Sequence, residues 1–250
     1  MPSDRLDRLS ALVSRFEIEV SPAKQGKANL SIRQSASSDS PENVLFNPAG
    51  YLAESPDSGA CTLFSAYASW GGADNPLIAA LPAHIEVNIS DDPEMQSLAM
   101  LLISENQQQR CGSKSVINRL GEILLVRLLR MQLSAGTTDV GLLGGLADPR
   151  LSPSIVAMHE HPGQQWRIEQ LAEIAGLSTS RFADRFSKTL GQTPMTYLRH
   201  WRMVLARQDI EQGERIQAVA SRYGYASSEA MSRAFKRHFG ASPIELRPSL

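Results

Sequence analysis

Two stretches late in the chain set serine, acidic and basic side chains at helical spacing. The first holds Ser180, Arg181, Asp184 and Lys188; the second holds Ser228, Glu229, Ser232, Arg233, Lys236 and Arg237. Large apolar residues recur four apart within each, Phe182 and Phe186 in one, Met231 and Phe235 in the other. A helix that buries these residues turns the polar set outward. Such a face suits the edges of base pairs, because Arg donates to guanine, Asp or Glu accepts from cytosine, and Ser does either. A helix also fits the roughly 12 Å major groove. The competing reading is a solvated face of a six-helix protein-binding bundle, which requires neither tight turns nor arginine-bearing faces in both copies.

The elements around these stretches repeat. Ile168, Leu171, Ala172 and Gly176 match Ile216, Val219, Ala220 and Gly224 at an offset of 48. Beyond one extra turn residue, Phe182, Phe186, Leu190, Gly191 and Pro194 match Met231, Phe235, Phe239, Gly240 and Pro243 at 49. This is an internal duplication of short helix, glycine turn and second helix, the helix-turn-helix pattern. Between the copies, Pro194 to about Ile210 reads as one connecting helix, with Thr193 as N-cap and Pro194 in the first turn. Two such units on a rigid connector can enter successive major-groove segments roughly 34 Å apart.

Charge separates the two ends of the chain. Residues 1–150 hold 12 Lys and Arg against 17 Asp and Glu, whereas residues 151–250 hold 13 against 9, so an anionic partner belongs to the second part. Between Arg33 and Arg110 there are ten acids and no Lys or Arg. A composition of 42% apolar and 20% charged residues supports a soluble globular chain, and 250 residues suit two domains. No stretch offers the roughly 20 apolar residues of a membrane span. The first residues, MPSDRLDRLSALVSRF, interleave acids and arginines and do not read as a signal peptide, so a cytoplasmic location is expected.

Ahead of the duplication, short apolar pieces such as Val44 to Phe46 and Cys61 to Tyr67 lie between turn signals at Asn47 to Gly50, Ser55 to Gly59 and Gly71 to Pro76. They predict a small antiparallel sheet or barrel. Met95, Leu98, Leu101 and Leu102 predict a helix, and Val116 through Met131 predict a second. The second helix also carries Leu125, Val126 and Leu129, more apolar surface than one stripe needs. It either faces a partner subunit or is packed on both sides within the monomer. Gly136 to Pro153 reads as an interdomain connection, with the boundary near Asp148 and domains of 1–147 and 148–250.

Other reactive residues give no catalytic pattern. His159 and His161 diverge on a helix and cannot share a metal as an i, i+4 pair does. His84 reads as a surface histidine, and His200 and His238 are candidates for phosphate contact. Cys111 beside Arg110 and Lys114 is either a redox-sensitive or a structural thiol. Two cysteines exclude a disulfide scaffold and a Cys-rich zinc module, and no P-loop, nucleophile elbow or HExxH occurs. No catalytic residue, metal or cofactor is expected.

The segment from Trp166 to Arg247, with GLSTSRFADRFSKTLGQTPMTYLRHWRMVLAR and VASRYGYASSEAMSRAFKRHFGASPIELR, resembles the DNA-binding domain of AraC/XylS-type transcriptional regulators. The resemblance implies a seven-helix domain whose first helix is Ser154 to His161. Met231 stands where the family usually has Phe, Leu246 where it has an aromatic, and Asp184 where related sequences often carry Arg or another donor. Most of residues 5–133, with RFEIEV, NVLFNPAGY, WGGADNPLIAALP, QRCGSK and GLADPRL, resemble a cupin-type sensor domain of these regulators, shortened between Val20 and Leu30.

The expected fold is therefore α+β. A cupin-like sheet or barrel and two helices precede an all-α domain with two helix-turn-helix units. The implied function is a DNA-binding transcriptional regulator that is not an enzyme. Its candidate partners are promoter or operator DNA, a small-molecule effector, a second copy of the chain and RNA polymerase, with no membrane. Three alternatives stay open: a regulator without effector response, a redox or small-molecule sensor of the same architecture, and a metal-dependent cupin enzyme or carrier. The enzyme needs His and carboxylate ligands in the strands, yet none of the five histidines precedes His84.

Overall fold

The computed structural model describes residues 7, 9–24, 26–52, 60–70, 75, 78, 81–135 and 141–246. The turn signal at Ser55 to Gly59, most of that at Gly71 to Pro76, and the start of the expected connection at residues 136–140 lie outside the described residues. Two compact units result, one of residues 13–137 and the other of residues 138–250 together with 1–12.

After the short helix α1 (Ser10–Arg15), the first unit forms an antiparallel sheet of β1 (Ile18–Pro22), β2 (Leu30–Ser35), β3 (Asn43–Phe46), β4 (Ala60–Trp70) and β5 (Ile85–Asn88), ordered β1-β4-β2-β3-β5. Alternation along the strands sets Ala66, Leu30, Phe46 and Ile85 in one row and Phe64, Ile32, Val44 and Val87 in the next. All eight are buried, as one apolar face of a pleated sheet requires. Helix α2 (Pro93–Gln108) starts at Asp92, whose carboxylate accepts from the Met95 amide at 2.9 Å. Helix α3 (Ser113–Ala135) follows and packs against both α2 and β1. Its Asn118 Oδ1 accepts the Val20 N–H at 2.6 Å, satisfying a donor that an edge strand leaves open.

That packing decides the open question about α3. Ile117, Leu124, Leu125, Leu128 and Leu129 are all buried in the folded chain, so Leu125 and Leu129 are core residues and not a partner surface. On these two helices the large apolar side chains left exposed, among the described residues, are Met100 and Leu101 on α2 and Val116 and Ile123 on α3.

The second unit contains α4 (Leu142–Ala147), α5 (Ser152–Glu160), α6 (Ile168–Ile174), α7 (Thr179–Leu190), α8 (Pro194–Glu211), α9 (Ile216–Arg222) and α10 (Ser228–Phe239). Helix α4 corrects the reading of residues 142–147 as connection and of residues 154–161 as the first helix. Leu142, Leu143 and Leu146 are buried, and the bare Gly145 admits Ile155 and Leu190 where a Cβ would lie within 2.8 Å of both. Glycine content suggested a linker, but here it permits close helix packing against α5 and α7. The helical unit therefore starts ahead of Asp148.

Candidate nucleic-acid interface

The two sequence repeats fold as equal units. Helices α6 and α9 are each seven residues and start 48 apart; α7 and α10 are each 12 residues and start 49 apart. In the turns, Leu177 donates its N–H to the Ala172 carbonyl and Tyr225 to that of Ala220, both at 2.9 Å. Gly176 and Gly224 hold φ of +62° and +73°, a region strained for residues with a side chain. The extra residue falls in the second turn, before the N-cap Ser227, whose hydroxyl accepts from the Ala230 amide at 3.1 Å.

Helix α8 fixes both units. As the spacing predicts, it starts at the N-cap Thr193, whose hydroxyl accepts from the Thr196 amide at 3.3 Å. Phe182, Phe186 and Leu190 are buried, and Phe186 meets Tyr197 of α8 edge to face at 5.7 Å. Toward the second unit, buried Asp209 accepts from Arg222 at 2.5 Å and from the Tyr223 hydroxyl at 2.7 Å. Arg202 holds the α5–α6 loop through the carbonyls of Pro162 and Gln164, at 2.6 and 2.7 Å. That loop touches the second turn, where Gln165 donates to the Gly224 carbonyl at 2.7 Å. Gly163 lies so close to the Arg222 carbonyl that any Cβ would collide with it.

On the α5 side, His159 is buried against Trp201, with its Nε2 2.5 Å from the Tyr197 hydroxyl. Burial lowers the imidazole pKa from 6.5 to about 3 and pushes the tyrosine hydroxyl above its ordinary range. This histidine is a neutral core group, neither a metal ligand nor a surface switch.

The α7 face presents Ser180, Arg181, Asp184 and Lys188, all exposed and opposite the buried phenylalanines. Asp184 pairs with Lys188 at 2.9 Å. Arg185 is also exposed but turns aside to Asp148 at 2.6 Å. Partial burial opposes ionisation of Asp148 most, yet the Arg185 guanidinium and the Arg150 and Leu151 amides hold its carboxyl below the ordinary value. Arg185 thus ties α7 to the α4–α5 corner.

The α10 face presents Glu229, Arg233, Lys236 and Arg237 fully and Ser228 and Ser232 half-buried at its flank. The Ser227 hydroxyl first, with Ser228, keeps the Glu229 carboxyl below its ordinary value and so ionised at neutral pH. Arg181, Arg233, Lys236 and Arg237 make no ion pair among the described residues, which leaves their charge for an external anion. His200 and His238 meet edge to face at 4.6 Å, linking α8 to α10. Sequence reasoning passed over Arg167 and Arg215, exposed at the N-caps of α6 and α9. Their separation of 48 is the signal that pairs them.

In the first unit a cavity of about 650 Å³ is lined by residues that include Asn29, Tyr51, Tyr67, Ser69, Trp70 and Leu81, with no acidic or basic side chain among the described residues that line it. The two tyrosine rings lie 5.9 Å apart. Cys61 and Cys111 are free and exposed, and Arg110 turns to Glu105 at 3.4 Å. Among the described residues, no three His, Cys, Asp or Glu side chains gather as metal ligands, and no helix is long and apolar enough to cross a membrane.

Comparison with known proteins finds the same two parts. A family model described as a helix-turn-helix domain matches residues 171–249, and one described as cupin matches residues 20–134. An uncharacterised HTH-type transcriptional regulator of Haemophilus influenzae is 32% identical over 178 residues, covering 71% of this chain and 59% of that protein. A putative AraC-like transcription regulator of Streptomyces lividans is 34% identical over 176 residues, 68% of this chain and 58% of that one. The chain thus spans somewhat under two thirds of the length of both relatives. Among solved structures, the DNA-binding domain of AdpA in complex with a target DNA is 30% identical, with a TM-score of 0.37 over 39% of this chain and 88% of that one.

Proposed function

Because this chain belongs to the AraC-type family of transcriptional regulators, with a cupin domain ahead of its helix-turn-helix domain, we propose that it regulates transcription by binding DNA site-specifically and is not an enzyme. One observation carries this reading. Two helix-turn-helix units with helices of matching length are locked to one connecting helix, and each turns a polar, arginine-bearing face outward. In this reading Ser180, Arg181, Asp184, Ser228, Glu229, Ser232 and Arg233 meet base edges, while Lys188, Lys236 and Arg237 meet phosphates.

Binding of the full chain to a duplex enriched from a randomised pool, compared with unselected duplex, tests this. Arg233→Ala is expected to weaken the selected site by roughly 5- to 150-fold more than unselected DNA. Lys236→Ala is expected to weaken both alike and to flatten the salt dependence. Equal loss on both duplexes with Arg233→Ala would remove it as a reader, and failure to enrich any sequence would overturn the function.

The first unit is the regulatory part of this proposal. The cavity beside Tyr51 and Tyr67 supports a small-molecule effector. Met100, Leu101, Val116 and Ile123, exposed on neighbouring helices, support pairing with a second copy, which would raise affinity for DNA through effective concentration. Cytoplasmic location accompanies this function.

A further inference from the structure

The two exposed faces are not equivalent, and their difference has a chemical direction. Asp184 is the sixth of the 12 residues of α7, and Arg233 is the sixth of the 12 of α10. The tenth positions, Lys188 and Arg237, are both basic. A position that meets phosphate takes no acid in either copy, whereas a position that meets a base can. The sign inverts only at the sixth.

We infer that α7 and α10 read opposite hydrogen-bond polarities, with Asp184 selecting a base that offers an exocyclic amine and Arg233 a base that offers paired acceptors. This rests on the proposed DNA-binding role. An ionised carboxylate only accepts hydrogen bonds. In the major groove guanine presents N7 and O6, both acceptors, and thymine presents O4 and a methyl group, so neither gives Asp184 a partner. Cytosine presents N4–H₂ alone. Adenine presents N6–H₂ beside the N7 acceptor, whose lone pair faces the second carboxylate oxygen. Cytosine is therefore the base for Asp184 and guanine the base for Arg233, which matches N7 and O6 with two donors.

Repulsion from the phosphates does not prevent this approach. Lys188 lies 2.9 Å from Asp184, one turn along the same face, and carries a compensating charge to the groove. Arg185, next in sequence, is held away by Asp148 at 2.6 Å and brings no competing donor to the place of Asp184. The preferred duplex is accordingly asymmetric, with a cytosine read by the first unit and a guanine by the second, about one helical turn apart.

The test enriches binding duplexes from a randomised pool with the full-length chain, then repeats the selection with Asp184→Asn, Asp184→Ala, Lys188→Ala and Arg233→Ala. The wild type is expected to select cytosine at one position, over guanine by roughly 5- to 150-fold. Asp184→Asn is expected to change that one position to adenine, since a carboxamide matches N6 and N7 together. Asp184→Ala should leave it unselective, Lys188→Ala should lower affinity without altering the sequence, and Arg233→Ala should relax a guanine elsewhere. If both Asp184 variants only weaken binding and keep the wild-type sequence, Asp184 merely positions Lys188 and the inference is overturned while the DNA-binding reading stands. If none of the variants changes the selected sequence, the assignment of both faces fails with it.

Discussion

Acid should loosen the helical unit through one residue, His159. The residue is 5% exposed, and its ring meets the Tyr197 hydroxyl through Nε2 and leaves Nδ1 without a partner. Protonation would place a charged, unsatisfied N–H in the core. The unfolded chain takes up this proton near pH 6.5, whereas the folded chain resists until about pH 3. Stability from this site is therefore complete above about pH 7 and declines as the pH falls through 6.5 toward 3. Between pH 7 and pH 5 the loss is about 2 kcal/mol on the linkage slope of 1.36 kcal/mol per unit. With a urea slope of roughly 1–2 kcal/mol/M, the midpoint falls by about 1–2 M.

Urea titrations of the full chain, read by helical circular dichroism at constant ionic strength, measure this. His159→Gln retains a hydrogen-bonding group for Tyr197 but cannot titrate, so carboxylate effects common to both proteins cancel in the difference. The variant is expected to be less stable at pH 7 and to lose about 2 kcal/mol less between pH 7 and pH 5. Parallel curves for the two proteins would refute the argument and mean that the folded unit already admits the proton.

Four further outcomes follow from the packing. Asp209→Ala removes a buried acceptor from the Tyr223 hydroxyl and the nearer of the two carboxylates beside Arg222, so it should cost roughly 2–4 kcal/mol in urea unfolding; a loss below about 1 kcal/mol would mean water takes the carboxylate's place. Phe186→Ala, at a fully buried site against Phe182 and Tyr197, should cost about 3–5 kcal/mol, and an unchanged midpoint would contradict the packing. Gly163→Ala should displace the second turn through the Arg222 carbonyl, lowering DNA affinity more than thermal stability; unaltered affinity would show that the loop yields freely. Leu125→Glu should prevent the first unit from folding, whereas Ile123→Glu should leave it folded and dissociate the proposed dimer in sedimentation. A wild-type chain that sediments as a monomer at tens of micromolar would remove the dimer.

The duplicated helical half was legible in the sequence because its signals are local. Apolar residues four apart, a glycine after each short helix and a Thr-Pro start depend only on backbone geometry and near neighbours, and each appears where the spacing places it. The outward position of Arg181, Asp184, Arg233 and Lys236 follows from the same periodicity, as does the α+β class. What the sequence could not decide depended on partners remote along the chain. Gly145 reads as linker until Ile155 and Leu190 occupy the space that a side chain would fill. Leu125 and Leu129 read equally as core or interface until β1 and α2 close over α3. Arg185 and Arg181 look alike in sequence, but Asp148, 37 residues before Arg185, pairs with it and leaves Arg181 without an ion pair among the described residues. Local spacing determines which way a helix turns its side chains; only tertiary contact determines which of them already have a partner, since a charge or apolar surface is taken up by whatever the fold brings beside it.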